Sequence, residues 1–328
     1  MELQGATAQR CHLIDDESKV GEARRDALRL AQIHGLDETM CGRAAIVATE
    51  LGNNLLRHGG GGELLLQPIV VESATLIELL AIDRGSGMQD AEACLNDGYS
   101  TGGTAGTGLG AVRRLAAEFD LYSVANVGTV VMARVGARAA GRFGAVSVPM
   151  AGESECGDSW RLATDGHMTA ALVVDGLGHG PLAAQAAQCS TKAFEETPFE
   201  APKALIERMH RSLGGTRGAA AACALIDAKG QLSYAGVGNI SSALITYAKS
   251  QGLSSHNGTL GLRMPRLQQF EYQRASGSIV VMHSDGISGR WDLARKHNLL
   301  HRHPATVAAV LYRDHARGRD DATILVFG

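Results

Sequence analysis

Apolar residues recur at helical spacing from Glu17 to Ile33, and a second helical stretch runs from about Glu38 to Arg57, where H-G-G-G-G ends it. Two apolar-rich runs follow, Gly62 to Val71 and Thr75 to Ile82, separated by the polar E-S-A, and they predict an antiparallel pair of strands. From Gly87 to Gly106 the chain is rich in Gly, Ser, Thr and Asp, a loop of a length usually tied to function. A helix is predicted to begin in the Gly106 to Gly110 turn and to run through A-V-R-R-L-A-A-E-F, followed by strands at Leu121 to Ala125 and Thr129 to Val135. This closes a layer of helices on a mixed sheet near residue 136. The small, polar G-A-R-A-A-G-R (Gly136 to Arg142) has the composition of a linker, which divides the chain into 1–137 and 138–328.

Beyond the linker, strands are predicted at Phe143 to Val148, Met168 to Val174, Ala220 to Ile226, Leu232 to Val237, Ala243 to Tyr247, Ser278 to His283 and Thr323 to Phe327. Helices fall at Pro181 to Phe194, Lys203 to Leu213 and Pro304 to His315. Strands outnumber helices, so a sheet sandwich flanked by helices fits better than a parallel wound sheet. The whole is an α/β (α+β) chain of two domains, and its 328 residues with 45% hydrophobic content are enough for two cores.

The net charge of -3, with no Lys/Arg run longer than two residues, carries no electrostatic footprint for a nucleic acid or an anionic membrane. Protein and nucleotide partners are expected instead. The six cysteines form no C-x-x-C pair and read as reduced, small hydrophobes. The N-terminus has no basic region followed by an apolar core, and the apolar run at Met168 to Val174 stops at Asp175, so a cytoplasmic location is expected.

Candidate chemistry in the first half centres on E-L-G-N-N (Glu50 to Asn54), D-R-G-S-G (Asp83 to Gly87) and G-T-G-L-G (Gly106 to Gly110). Glu50 and Asn54 project from one face of a helix. An Asn amide oxygen is a hard, neutral ligand suited to magnesium, and a nearby Glu can take a proton from an attacking hydroxyl or water. Asp83 ends a strand, with Gly85 and Gly87 letting the backbone approach a flat ring, and its carboxylate would accept from the exocyclic amino group of adenine. The glycine turn at a helix start offers N–H groups and the positive helix end to phosphates, and the preceding loop would fold over the nucleotide as a lid. Singly, such a turn is more often only a tight turn, and a Glu/Asn pair only a solvated helix face.

Taken in order, the three motifs resemble the N-box, G1 box and G2 box of the Bergerat-fold ATPases of the GHKL superfamily, over roughly residues 10 to 136. Within it the run G-L-G-A-V-R-R-L-A-A-E-F-D-L-Y-S (Gly108 to Ser123) and the following Gly128 and Thr129 are most similar to the anti-sigma-factor serine kinases of RsbT type. The resemblance implies ATP with Mg2+, Glu50 as general base, Asn54 on the metal and Asp83 on adenine. It also implies ATP contacts from Gly85, Gly87, Gly106, Thr107, Gly108, Leu109 and Gly110, with Thr129 assisting at adenine. A sensor histidine kinase would need a phosphoacceptor His on a long helical hairpin upstream, and only His12 and His34 precede the N-box. The implied acceptor is a Ser or Thr on another protein.

In the second half, Asp175, Asp285 and Asp320 each end or flank an apolar β run, and Asp158 sits at a G-D turn. A D-G pair alone is usually a turn. Clustered carboxylates without His or Cys select magnesium or manganese, and two such ions activate water for phosphate-ester hydrolysis without a covalent enzyme intermediate. His179 suits helix capping or a phosphate contact better than ligation of a hard ion. The order C-G-D (Cys156 to Asp158), D-G-L-G-H-G (Asp175 to Gly180), R-G-A-A-A-A-C-A-L-I-D (Arg217 to Asp227), G-V-G-N-I (Gly236 to Ile240), S-D-G (Ser284 to Gly286) and D-D-A-T (Asp320 to Thr323) resembles the SpoIIE-type branch of the PPM phosphatases, especially compact RsbX-like members.

That resemblance implies an α-β-β-α sandwich in which Asp175, the Gly176 carbonyl, Asp285 and Asp320 hold Mn2+ or Mg2+, with Asp158 as a further or water-mediated ligand. Asp320 is preferred to Asp321 because the family's motif places its ligand first and the next side chain faces away along the strand. Together the two resemblances imply a partner-switching regulator that phosphorylates and dephosphorylates STAS-domain antagonist proteins, alone or as an oligomer. The alternative is a phosphoserine phosphatase whose ATP-binding domain only regulates it or binds partners.

Overall fold

Two short strands, β1 (Glu2–Gln4) and β2 (Arg10–Ile14), precede the first helix, α1 (Glu17–Ile33). In this computed structural model, which describes residues 2–5, 8–71, 74–90, 108–136, 142–264, 266–293, 296 and 298–328, aspartates open both long N-terminal helices. The Asp16 side chain accepts from the amides of Ser18 and Lys19, and Asp37 accepts from that of Met40 at the start of α2 (Glu38–Asn54). α1 buries Val20, Ala23, Ala27, Leu30 and Ala31, and α2 buries Cys41, Ala44, Val47, Ala48 and Leu51 in the same core. The helical period read from the sequence is the period of this buried stripe.

The helices lie on an antiparallel sheet of order β2-β3-β4-β6-β5, with β3 (Gly62–Val71), β4 (Ala74–Ile82), β5 (Glu118–Val124) and β6 (Gly128–Gly136). Alternate residues Leu64, Leu66, Ile77, Leu79, Ala81, Val131, Ala133 and Val135 face the helices. On the other face the Arg134 guanidinium donates to Glu78 Oε2 at 2.8 Å and Glu118 Oε2 at 2.9 Å, while Gln67 donates to Glu78 Oε1 at 2.6 Å. Arg134 and Glu78 are both fully buried. The helix predicted to run through Phe119 is shorter: α3 (Gly108–Leu115) stops, and Glu118 and Phe119 begin β5. β-pairing with β6 overrides the helical preference of A-A-E-F there.

The remaining strands form two antiparallel sheets. One has the order β1-β8-β9-β10-β11-β14, with β8 (Asp158–Thr164), β9 (Thr169–Gly176), β10 (Ala219–Ile226), β11 (Gln231–Val237) and β14 (Phe270–Gln273). The other has the order β13-β12-β15-β16-β7, with β7 (Phe143–Val148), β12 (Ser241–Ile245), β13 (Ser250–Leu253), β15 (Ile279–His283) and β16 (Ala322–Phe327). The sheets face each other, Phe143 of β7 lying 6.0 Å from Trp160 of β8 between ring centroids. Helices α4 (Pro181–Glu196) and α5 (Pro202–Ser212) cover the outer face of the first sheet, packing Ala186, Ala187, Phe194, Leu205 and Met209 on Leu172, Val174, Ala221 and Cys223.

The two compact units are not contiguous in sequence. β1 pairs with the edge of β8, Glu2 opposite Thr164, so residues before β2 belong to the sandwich unit. Residues Ala305–Arg313 of α6 (Pro304–His315) group with the helix-on-sheet unit, where the Tyr312 hydroxyl donates to Glu63 Oε1 at 3.3 Å. The simple division 1–137 and 138–328 is corrected at these two places: a three-residue strand satisfies its backbone only by adding to a sheet edge. The predicted linker, apart from Gly136 and Arg142, lies outside the described residues, as do Gly106, Thr107 and most of the predicted lid loop. Among the described residues no helix is long and apolar enough to cross a membrane.

Candidate functional site

In the helix-on-sheet unit the last turns of α2 present Glu50 and Asn54 to the start of α3. A methyl group added at Gly108 would stand 3.1 Å from Glu50 Oε2 and 3.5 Å from Asn54 Oδ1, so the helix start abuts both side chains. Asn54 Nδ2 is buried and has no hydrogen-bond partner among the described residues. Leu109 turns its side chain into the core and Gly110 is buried, which leaves backbone N–H groups as their means of reaching a phosphate.

Past Asn54, α2 runs into a π-helical turn, Leu55–Gly59, ended by the left-handed Gly60. Such turns interrupt helices at functional sites. This one packs Gly59 against Asp83, whose Cβ lies 2.7 Å from where a Gly59 methyl would sit. Asp83 follows β4, and its Oδ1 accepts from the amides of Gly85 at 2.8 Å and Thr129 at 3.0 Å. Its Oδ2 accepts no hydrogen bond from the described residues. Gly87 has φ +62, and a side chain there would meet the Val124 carbonyl at 2.1 Å. Thr129 is buried and shares a 2.9 Å hydrogen bond with Ser123 Oγ, which also accepts from Met88 N. Gly59 and Ser123 belong to this arrangement, although the sequence marks H-G-G-G-G only as a helix stop.

In the sandwich unit the register places Asp158 directly opposite Asp175 on neighbouring strands. Asp285 follows β15 and Asp320 precedes β16, at the same end of the sandwich. Asn239 joins two of them, donating to Asp175 Oδ2 at 3.2 Å and to Asp285 Oδ2 at 2.7 Å. Burial, then the Asp285 charge, pushes Asp175 up to about 7, with Asp320 and Asp321 adding and Asn239 opposing. Burial, then Asp175, raises Asp158 well above the usual carboxylate range against hydrogen bonds from Ser284 and Thr323, and its Oδ2 has no hydrogen-bond partner among the described residues. Asp320 is also raised, by burial first. Carboxylates this close disfavour one another's charge unless a cation is shared.

The two adjacent aspartates do different things. Asp321 is buried, with Oδ1 accepting from Met150 N at 2.7 Å and Oδ2 from Gly157 N at 2.8 Å, so both oxygens brace loops. Among the described residues Asp320 accepts only from the Asp321 amide, at 2.9 Å, and its carboxylate feels Asp285. His179 is exposed and shares a 2.6 Å hydrogen bond with Glu153, a partnership the sequence did not signal. Among the described residues no three Asp, Glu, His or Cys side chains are arranged to hold an ion by themselves. The donor set is that of a hard ion which keeps water or substrate oxygens in its shell. The carboxylates of Asp175 and Asp285, brought together by Asn239, suit such an ion, with water or substrate oxygens completing its shell.

The sequence model of the family described as Stage II sporulation protein E (SpoIIE) matches residues 165–328, half of the chain. The chain belongs to this family. The SpoIIE region follows a second match, a histidine kinase-like ATPase domain over residues 14–135. That part is 31% identical over 125 residues to the serine/threonine-protein kinase RsbT of Bacillus subtilis (strain 168), covering 38% of this chain and 94% of RsbT. The phosphoserine phosphatase RsbX of the same organism is 28% identical over 141 residues, covering 42% of this chain and 70% of RsbX. Among solved structures, a chain from the bacterial stressosome, described as a modular system adapted to control secondary messenger signalling, superposes with TM-score 0.53 at 29% identity, covering 56% of this chain and 97% of that one. RsbX in complex with magnesium has the same sandwich fold, with TM-score 0.51 at 24% identity over 56% of this chain and 92% of that one. This SpoIIE-family chain therefore joins an RsbT-like kinase domain to a PPM-type serine/threonine phosphatase domain, the composition of a partner-switching regulator.

Proposed function

We propose that the chain phosphorylates, with Mg2+ and ATP, and dephosphorylates serine or threonine on STAS-domain antagonist proteins, the two reactions running in separate units. The observation that carries it is that each unit gathers its own set of oxygen-bearing side chains: Glu50 and Asn54 against the start of α3, and Asp175 with Asp285 and Asp320 at one end of the sandwich.

In the kinase unit Glu50 would take the proton of the incoming hydroxyl, and Asn54 Oδ1 would hold the magnesium that offsets the phosphate charge. Asp83 Oδ2 accepts from the adenine amino group, with its other oxygen locked by Gly85 and Thr129. In the phosphatase unit Asp175, the Gly176 carbonyl, Asp285 and Asp320 hold Mn2+ or Mg2+, two ions in all, with Asp158 as a further or water-mediated ligand. When bound, the ions supply positive charge to the phosphoryl oxygens and acidify water. Asn239 orients Asp175 and Asp285 together, and Asp321 holds the loops around them. The likeness to a stressosome chain suits action within a larger regulatory assembly.

The phosphatase half is tested by giving the full chain a phosphoserine STAS protein with manganese. Phosphate release that stops in chelator and in Asp285→Asn supports the reading, and release that persists in both refutes it.

A further inference from the structure

The motif R-G-A-A-A-A opens on an arginine that none of the roles above uses. Register places it at the phosphatase site: Ala219 pairs with Gly176, and the Leu177 amide donates to the Gly218 carbonyl at 3.0 Å. Arg217 therefore stands beside the D-G-L-G-H-G turn. Its guanidinium lies over Gly178, where an added methyl would be 3.0 Å from Nη1. Gly178 has φ +86, a conformation that keeps side chains away from this spot.

Arg217 is exposed, and no hydrogen bond or ion pair engages it among the described residues. Around the phosphatase site, Glu153 is committed to His179 Nδ1, Asp175 and Asp285 are joined by Asn239, and Asp321 is spent on backbone amides. A planar guanidinium left with its donors unspent over Gly178, two residues past Gly176 in the D-G-L-G-H-G turn, matches a tetrahedral dianion in geometry and charge. The N-terminus of α4 begins just past the turn at Gly180 and adds the positive end of a helix.

We propose that Arg217 binds the phosphoryl oxygens of the substrate and of the phosphate product, the glycine at 178 leaving room for the fork. This rests on the phosphatase reading given above. The sites to which the ions bind do not include Arg217, so phosphate affinity and metal affinity should separate.

The test uses the magnesium-loaded full chain and compares wild type with Arg217→Ala and Arg217→Lys. Inorganic phosphate binding is read by calorimetry, and a phosphoserine peptide gives kcat and KM. In Arg217→Ala the Kd for inorganic phosphate and the KM should both rise about tenfold or more, with the magnesium activation midpoint unchanged. Arg217→Lys should fall between the two, because a point charge replaces the fork. Phosphate Kd and KM within about twofold of wild type in Arg217→Ala would overturn the inference. Should wild type bind phosphate through Arg217 yet release none from phosphoserine, the phosphatase reading falls and the anion site stands.

Discussion

Replacing Asp175 by Asn should stabilise the metal-free protein while abolishing phosphatase activity. Burial and the neighbouring Asp285 charge push this carboxyl from 3.8 to about 7. A shift of about three units at 1.36 kcal/mol each sets an upper bound of about 4 kcal/mol on the cost of holding the charged form in the fold. The sign follows from proton binding. Between 3.8 and about 7 the folded state holds more protons at this site than the unfolded chain, so the site's contribution to stability is lost as pH rises through that window. Asn is nearly isosteric and cannot ionise. In chelator at pH 8, Asp175→Asn should gain up to about 4 kcal/mol over wild type, shrinking to under about 1 kcal/mol near pH 4. Both tryptophans, Trp160 and Trp291, lie in the sandwich unit, so denaturant melts followed by tryptophan fluorescence report on that unit alone. Added magnesium should reverse the order, stabilising wild type only. A metal-free Asp175→Asn protein less stable than wild type at pH 8 would refute the electrostatic argument.

Asp83→Asn keeps the oxygen that accepts from Gly85 and Thr129 but sets an NH2 against the adenine amino group; ATP affinity should fall about 10- to 100-fold by calorimetry with the melting temperature unchanged. Arg134→Met leaves the Glu78 charge buried without its cation, held only by Gln67, and should cost about 3–5 kcal/mol in the helix-on-sheet unit, measured by circular dichroism in denaturant.

Long periodic segments were readable from sequence because burial sets their period. α1 spans the predicted Glu17 to Ile33, and α6 the predicted Pro304 to His315. β1 and β2 were missed because three to five residues with one or two apolar positions carry no period, and they exist only by adding to sheet edges. β8 was missed for a related reason: in D-S-W-R-L-A-T, Arg161 interrupts the apolar run and instead ion-pairs with Glu195. The candidate site residues that sequence singled out are those in compact motifs. Asn239, Asp321 and Glu153 act on the site through hydrogen bonds to partners distant in sequence, and no spacing rule marks such pairs. The bracing role of Asp321 needed the backbone, since only the fold shows that both its oxygens accept from amides.

The central claim, two opposed phosphoryl reactions in one chain, is tested most directly by the intact mass of a candidate STAS partner after incubation with the Asp175→Asn protein and magnesium-ATP. The account predicts a gain of one phosphoryl group, absent with Asp175→Asn combined with Glu50→Ala and removed when wild-type protein and manganese are added. A partner whose mass never changes, although ATP still binds and still alters phosphoserine hydrolysis by wild type, would contradict the kinase half and leave the first unit as a nucleotide-sensing regulator.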